Sequence, residues 1–354
     1  MAEPRRHFAS DNWAGVHPDI LAAIAAANVG HMPSYGDDAI TARATARIQA
    51  LFGAPVAVQF VFNGTAANVL GLASALEPWQ SVICSDVAHL EVDECGAWEH
   101  HAGSKLLTVP TTDGKLTPQL VASRLTGIGD VHRSQPAAIS ITQATEYGTV
   151  YTVDEIAALA RLAHQHHLLL HMDGARLANA AASLNLPLGA FTIAAGVDIL
   201  TFGGTKNGLL GGEAVIFANP ERAANFGFIR KQGMQLASKM RFVAAQFEAL
   251  LTSDLWLRSA THANQMAARL YQKVRAIPGV DVTQRVEANA VFARIPAAAI
   301  APLQQHFSFL LWNDRTSEVR WMTAFDTTAE DVDAFAAAIA LEVGRITATA
   351  EAAR

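Results

Sequence analysis

The chain has 354 residues, which is the length of roughly two ordinary domains. Apolar residues make up 51% of it and charged residues only 16%, so the composition excludes an intrinsically disordered chain and allows a large buried core. Asp and Glu number 32 against 26 Lys and Arg, a net charge of −6, and we expect no nucleic-acid partner, since that would require a basic surplus.

Few features indicate where the protein works. Its two cysteines, Cys84 and Cys95, are too few for a disulfide framework and fit a reducing compartment, so we predict a cytoplasmic protein. Residues Met1–Ser10 contain no apolar run that would form a signal peptide. The longest uncharged stretch, Ile48–Leu76, is interrupted by proline, asparagine and glycine, and it predicts strand, loop and helix rather than a membrane span.

Seven short runs rich in β-branched and apolar residues predict strands in the first two thirds of the chain. They are Val56–Phe62, Ser81–Ser85, Lys105–Val109, Ala137–Thr142, Leu168–Met172, Asp198–Phe202 and Glu213–Phe217. Several are apolar at successive positions, which is typical of parallel strands buried on both faces. The intervening segments can form helices, one of which begins with a capping box at Thr152–Glu155. The sequence therefore predicts an α/β fold with a mainly parallel, seven-stranded central sheet.

The pattern changes near Phe247. One long helix is predicted over 241–277, and a last helix with a Thr-x-x-Asp start over 328–350. Between them lie four alternating segments, at 281–286, 288–295, 307–312 and 318–325. We assign residues 1–246 to an N-terminal segment with the large domain, and residues 247–354 to a smaller α+β domain.

Polar groups follow four of the predicted strands, at the edge where open α/β sheets bind ligands. Asn63–Asn68 follows the first strand and begins a helix, so its glycine and first-turn amides can face a phosphate. An ordinary N-cap is the plainer interpretation of the same residues. His89 follows the second strand, where it can stack on an aromatic ligand, move protons or be a structural residue.

The other two groups are costly to bury. Asp173 follows a buried strand and needs a cationic partner, either Arg176 in a structural pair or the protonated ring nitrogen of a ligand. Lys206 lies in a glycine-rich, nearly uncharged loop. Partial desolvation there would lower its pKa and make it a carbonyl nucleophile, whereas the alternative is a flexible surface turn.

Together the four groups are what pyridoxal 5′-phosphate needs, namely a phosphate cradle, a stacking imidazole, an acid for the pyridine nitrogen and a lysine for the Schiff base. The chain resembles the L-threonine aldolases, which are grouped with the β-eliminating lyases and have the fold type I (aspartate aminotransferase-like) architecture. The matching stretches are Phe8–Asn12, Tyr35–Asp38, Asn63–Asn68, Ala88-His89, Met172–Arg176, Thr205-Lys206 and Val319-Arg320.

The resemblance implies a role for each matched residue toward the cofactor. Lys206 would hold it covalently, Asp173 would pair with the pyridine nitrogen, and His89 would stack on the ring and take part in proton transfer. Gly64 and Thr65 would hold the phosphate.

Other matched residues would bind the substrate or complete the site. Ser10, Arg176 and Arg320 would bind the substrate carboxylate, with Arg176 also counted in the cofactor site. Tyr35 resembles an active-site wall residue, and Arg241 a position that binds phosphate across a dimer interface.

One position departs from the pattern. Many relatives have a histidine after the fourth strand, where this chain has Glu146. We predict that Glu146 is the base for the β-hydroxyl proton if its pKa is raised, with His89 or a water as rivals and a solvated loop carboxylate as the plain alternative. His164, His166, His167 and His171 match no zinc spacing, so we predict no metal site.

The resemblance implies an aldolase that cleaves L-β-hydroxy-α-amino acids into glycine and an aldehyde, with L-threonine, L-allo-threonine and L-phenylserine as candidate substrates. Two alternatives stay open: a neighbouring fold type I enzyme, such as a β-eliminating amino-acid lyase or a phenylserine-preferring aldolase, and a non-catalytic ligand-binding member of the fold. The resemblance also implies a homotetramer with active sites at a dimer interface. Beyond small amino acids we expect neither a nucleic-acid nor a membrane partner.

Overall fold

The computed structural model describes residues 6–352, with side chains described for residues 6–346. The prediction that no signal peptide is present concerns residues 1–10, of which 1–5 lie outside the described residues. No helix in the described part of the chain combines the length and the apolar character needed to cross a lipid bilayer.

The larger of two sheets has seven strands in the order β1-β7-β6-β5-β4-β2-β3. Their bounds are β1 Ala57–Val61, β2 Gln80–Ser85, β3 Lys105–Val109, β4 Gln135–Thr142, β5 Leu169–Asp173, β6 Ile199–Gly203 and β7 Glu213–Phe217. Only β7 runs antiparallel to its neighbours, β1 and β6. All residues of β5, β6 and β7 are buried, as strands covered on both faces require. The predicted α/β class and the seven-stranded, mainly parallel sheet are confirmed.

Helices precede, connect and follow the strands of this sheet. They are α1 Pro18–Ala26, α2 Ala39–Phe52, α3 Gly64–Ala73, α4 His89–Val92, α5 Ala97–Ala102, α6 Pro118–Ala122, α7 Val153–Gln165, α8 Leu177–Leu184, α9 Phe226–Gln232 and α10 Met240–Leu250. The predicted capping box is present at the start of α7, because Thr152 accepts from the Glu155 amide and Glu155 accepts from the Thr152 amide. Ile156, Leu159 and Ala163, which follow the box at helical spacing, are buried.

A second, four-stranded antiparallel sheet lies in the C-terminal third, in the order β10-β11-β9-β8. Its strands are β8 Asp281–Val282, β9 Ala290–Arg294, β10 Leu310–Asn313 and β11 Glu318–Met322. The helices of this third are α11 Leu255–Val274, α12 Ala297–Gln304 and α13 Ala329–Ala352. Phe8 from the N-terminal segment stacks on Phe335 of α13, with ring centroids 4.3 Å apart, and so joins the core of this part. The boundary between 246 and 247 falls inside α10 and stays a prediction.

The prediction of one helix over 241–277 is wrong. Helices α10 and α11 are separate, because Ser253 and Asp254 adopt left-handed backbone conformations with φ of 51° and 52°. Ser and Asp compete with helical hydrogen bonding through their own side chains, and Asp tolerates the left-handed region better than most residues. The Thr-Ser-Asp run at 252–254 was therefore the available signal for the break.

Candidate active site

One cavity at the carboxyl ends of β4, β5 and β6 brings together eight of the eleven residues proposed from the sequence. They are Ser10, Gly64, His89, Glu146, Asp173, Arg176, Lys206 and Arg320. These residues are spread over more than 300 positions of the chain. The parallel strands bring the segments that contain them to one edge of the sheet.

Asp173 ends β5 as a buried, fully hydrogen-bonded carboxylate. Its Oδ1 accepts from the Ala175 amide at 2.9 Å, and its Oδ2 accepts from Asn68 Nδ2 at 2.8 Å. Burial alone would raise the pKa of Asp173, but the nearby charges of His89 and Lys206 and these hydrogen bonds hold it below its usual value. An acid that stays ionised here can stabilise a protonated nitrogen in the cavity.

His89 is oriented by a network that the sequence interpretation missed. Its Nδ1 lies 2.9 Å from Oε1 of Glu94, a side chain with no exposed surface. The same oxygen accepts from Asn68 Nδ2 at 3.0 Å, and Asn68 Oδ1 accepts from the hydroxyl of Thr201. The hydrogen bond to Glu94 raises the pKa of His89. Asn68 was recognisable as a polar residue in an otherwise apolar helix, whereas Glu94 lay among other acids and gave no distinct signal.

Lys206 sits in a single 3-10 turn directly after β6. Gly174 and Gly203 allow this arrangement, because a Cβ on Gly174 would collide with the Thr201 carbonyl oxygen and one on Gly203 would lie 2.5 Å from that of Ala175. The ends of β5 and β6 therefore approach closely enough to place Asp173 and Lys206 around one cavity. Burial lowers the pKa of the Lys206 amine, and the positive charge of Arg176 lowers it further.

Arg176 does not pair with Asp173, which was one of the two interpretations considered. It forms a two-point ion pair with Asp11 instead, Nε to Oδ2 at 2.7 Å and Nη2 to Oδ1 at 2.8 Å. Asp11 also accepts from Asn289 Nδ2 at 3.1 Å and is buried. In the sequence, Asp11 is one residue of the stretch Phe8–Asn12 that resembles the aldolases, and no local pattern indicates its pairing with Arg176.

Arg320 is the second guanidinium in the cavity. Its Nη2 donates to the Ala9 carbonyl at 3.2 Å, and its plane lies over the ring of Trp312, 5.2 Å from the centroid. Among the described residues nothing accepts a hydrogen bond from its buried Nε. Burial, assisted by Arg176, lowers the pKa of Arg320 to about 10. A buried guanidinium with an unpaired donor in a cavity has the chemistry to bind a carboxylate.

Glu146 lies in the loop after β4, with its Oε1 held by two donors. The Thr142 hydroxyl donates to this oxygen at 2.7 Å and the His89 amide at 2.9 Å. Its Oε2 is buried and has no hydrogen-bond partner among the described residues. Burial raises the pKa of Glu146. The plain alternative of a solvated loop carboxylate is therefore wrong, and the group is suited to exchanging a proton.

The helix start after β1 has the features of an anion site. Asn63 is the N-cap of α3 and accepts from the Ala66 amide at 2.9 Å, which leaves the earlier amides of the first turn without intrahelical partners. The space beside Gly64, where a Cβ would lie, is open to 4 Å and faces the cavity. The N-cap and the phosphate cradle are thus compatible interpretations of one segment.

Three predicted residues lie outside this cavity. Thr65 lines a neighbouring one together with Asn63, Ala97 and His101, among others. Tyr35 is about half exposed, with the ammonium of Lys231 5.2 Å from its ring centroid, and Arg241 Nη1 donates to the Gly30 carbonyl at 3.4 Å. Their roles stay predictions. Within residues 6–346, no group of three or more His, Cys, Asp and Glu side chains is arranged to hold a metal ion.

Residues 7–298 match the family model described as beta-eliminating lyase. The chain belongs to this family. Over 349 residues it is 44% identical to the low specificity L-threonine aldolase of Pseudomonas aeruginosa, an alignment that covers 97% of this chain and all of that protein. The low specificity L-threonine aldolase of a Pseudomonas species, strain NCIMB 10558, is 44% identical over 344 residues, covering 96% and 98% of the two chains.

Among solved structures, the chain is similar to the threonine aldolase of Leishmania major. The two superpose with a TM-score of 0.90 at 32% identity, over 95% of this chain and 99% of that one. This similarity confirms the predicted fold class across both sheets.

Proposed function

We propose that this β-eliminating lyase family member is a pyridoxal 5′-phosphate-dependent aldolase that cleaves L-β-hydroxy-α-amino acids into glycine and an aldehyde. One observation carries the proposal. An ionised, buried acid (Asp173) and a partly desolvated lysine (Lys206) face one cavity, beside an open helix start and an unsatisfied guanidinium. The named relatives with 44% identity support the substrate class.

The cavity residues fit the cofactor. Lys206 would hold it covalently, Asp173 would face its pyridine nitrogen, His89 would lie against the ring, and the first turn of α3 at Gly64 would hold the phosphate. When bound, this group supplies an electron sink for the pair of electrons released at the substrate Cα. Asp173 favours that role, since its low pKa keeps a negative charge beside the ring nitrogen.

The substrate carboxylate would be bound chiefly by Arg320, with Ser10 beside it. Arg320 offers a free Nε, whereas the Nε and one Nη of Arg176 are already engaged by Asp11. Arg176 then contributes its remaining donors and its positive charge. Holding the carboxylate fixes the substrate so that the Cα–Cβ bond, rather than the bond to the carboxylate, can stand perpendicular to the ring.

Glu146 would remove the proton of the β-hydroxyl. Thr142 and the His89 amide fix one oxygen, and the other has no hydrogen-bond partner within residues 6–346. Glu146 lines the cavity. The raised pKa that burial gives this carboxyl suits a group that takes a proton in one step and returns it in another.

We further propose the homotetramer and the cytoplasmic location that the resemblance and the cysteine content imply. In such an assembly Tyr35 and Arg241 would act at a dimer interface and Thr65 at the phosphate. The exposure of Tyr35 and the position of Arg241 outside the cavity are compatible with contacts to another subunit.

The deciding experiment incubates the purified protein, loaded with pyridoxal 5′-phosphate, with L-threonine, L-allo-threonine and L-phenylserine. We expect glycine together with acetaldehyde or benzaldehyde in equal amounts. The Lys206→Ala variant should release neither product and should lose the visible absorption band of the bound cofactor. Ammonia and an α-keto acid would instead indicate a β-eliminating lyase, and no product from any substrate would contradict both activities.

A further inference from the structure

Strand β7 begins with a glutamate that the sheet does not require. Every residue of β7 is buried and the other four are apolar, yet Glu213 is only 5% exposed. Burying a carboxylate costs free energy unless its oxygens accept hydrogen bonds or a cation lies nearby. The contacts of Glu213 therefore indicate what the group does.

Both contacts lead to the turn that carries Lys206. Glu213 Oε2 accepts from the Gly204 amide at 2.8 Å, and the hydroxyl of Thr205 donates to the same carboxylate. The Thr205 oxygen in turn accepts from the Gly212 amide at 3.2 Å. The two residues that immediately precede Lys206 are thus tied to one carboxylate.

The charges around this turn are few and can be named. The Lys206 amine is influenced by the negative charges of Asp11, Asp173 and Glu213 and by the positive charge of Arg176. The charges of Lys206 and His89 also interact. Glu213 is influenced by Lys206 and Asp173.

Helices α10 and α11 pack against the loop that follows Lys206, and the groups that they hydrogen-bond to it are neutral. Gln246 of α10 accepts from the amides of Leu210 and Gly211, and the Trp256 carbonyl of α11 accepts from Asn207. In β1 and β6, the residues paired with Glu213 are Val61 and Gly203. Among the described residues, Glu213 is therefore the ionisable group whose side chain is hydrogen-bonded to the lysine turn.

We infer that Glu213 is a positioning residue for Lys206, whose carboxylate fixes the Gly204–Thr205 turn and whose negative charge favours the protonated amine. The inference rests on the proposed function, in which Lys206 would hold the cofactor covalently and would need a neutral amine to do so. Burial raises the pKa of Glu213 to about 7. Its charge, and with it the bias on Lys206, therefore changes close to neutral pH.

The test measures the reactivity of Lys206 in the full-length, cofactor-free protein. Acetic anhydride labels neutral amines, and mass spectrometry of the peptide containing residue 206 gives its labelling rate between about pH 5 and pH 9. In Glu213→Gln, Lys206 should react at least about twofold faster than in the wild type near pH 8, because a negative charge has been removed. Below about pH 6 the two rates should converge, since Glu213 is then protonated in the wild type as well.

Two further variants separate charge from structure. Glu213→Asp keeps the charge and should retain the wild-type pH dependence of labelling. Glu318→Gln is a matched control, since Glu318 is also buried at the start of an antiparallel strand and accepts from a threonine hydroxyl, that of Thr283, away from the lysine turn. This control should leave the labelling of Lys206 unchanged.

Equal rates for Glu213→Gln and wild type at every pH would overturn the inference, as would a difference that is the same at every pH. If Glu213→Gln does not fold, the labelling curve of His89→Gln decides, because flattening near pH 7 can then come from Glu213 and no longer from His89. A curve for a single proton in that variant would contradict the proposal. The labelling experiments need no bound cofactor. A negative labelling result would therefore contradict the role of Glu213, whereas a failure to release glycine and aldehyde would contradict the proposed function.

Discussion

Asp11 and Arg176 form a two-point ion pair, with N···O distances of 2.7 and 2.8 Å, between side chains that are 2% and 13% exposed. The pair joins the N-terminal segment to an arginine three residues after Asp173, across 165 positions of sequence. It also reduces the donors that Arg176 can offer to a substrate. Of the two cavity arginines, Arg320 is therefore the one with a free edge for a carboxylate.

Replacing Asp11 by alanine should destabilise the protein by about 3–5 kcal/mol, because it leaves a buried guanidinium without its partner. Urea unfolding followed by circular dichroism measures the change. The matched control is Asp333→Ala, which removes the same two-point geometry from Arg269 on the exposed surface. There the loss should be far smaller, since exposed pairs contribute little. Equal losses in the two variants would contradict the importance of burial for the Asp11 pair.

Arg320→Ala should lower kcat/KM for L-threonine on the order of 100-fold, mainly by raising KM, because a charge-assisted contact to the carboxylate is lost. The absorption band of the bound cofactor should persist. Arg315→Ala, at an exposed position on the same hairpin, provides the control and should behave as wild type. A normal KM in Arg320→Ala would assign the carboxylate to Arg176 instead.

Much of this site was predictable because its residues lie at or just after the ends of strands. Asp173, Lys206, His89 and the Gly64 segment each follow a recognisable buried strand, and parallel strands bring such ends together whatever their separation in sequence. The partners of those residues were not predictable in the same way. Asp11, Glu94 and Trp312 contact Arg176, His89 and Arg320 respectively through the tertiary fold, and no local pattern distinguishes them from other acids and aromatics. The break between α10 and α11 likewise depends on two left-handed residues that helical periodicity does not reveal.

Glu146→Gln should lower kcat for L-threonine by roughly 10²–10⁴-fold if this carboxylate is the base. In the wild type the rate should rise with pH through the raised pKa of Glu146, since only the ionised form accepts a proton, and this rise should be absent in the variant. Thr142→Val removes a donor that lowers this pKa, so the rise should move to higher pH with activity retained. An unchanged rise in Glu146→Gln would point to His89 or a water.

His171 makes the stability of the fold sensitive to acid. It is fully buried in β5, its Nδ1 lies 2.8 Å from the Ser140 hydroxyl, and its Nε2 has no hydrogen-bond partner among the described residues. Burial lowers the pKa of His171 from 6.5 to about 4 in the folded protein. Between these values the unfolded chain binds the proton and the folded chain does not, so stability falls as pH drops from about 6.5 toward 4, by about 2 kcal/mol at pH 5.

Replacing His171 by leucine should remove this contribution. The variant is expected to be less stable than wild type at pH 8, because the Ser140 hydroxyl loses its partner, but the difference should narrow by about 2 kcal/mol at pH 5. Urea unfolding at the two pH values measures this difference in the free energy of unfolding. His132→Leu, which alters an exposed histidine, should leave the wild-type pH dependence intact. A constant difference between His171→Leu and wild type at both pH values would mean that His171 takes up its proton equally well in the folded and unfolded chains.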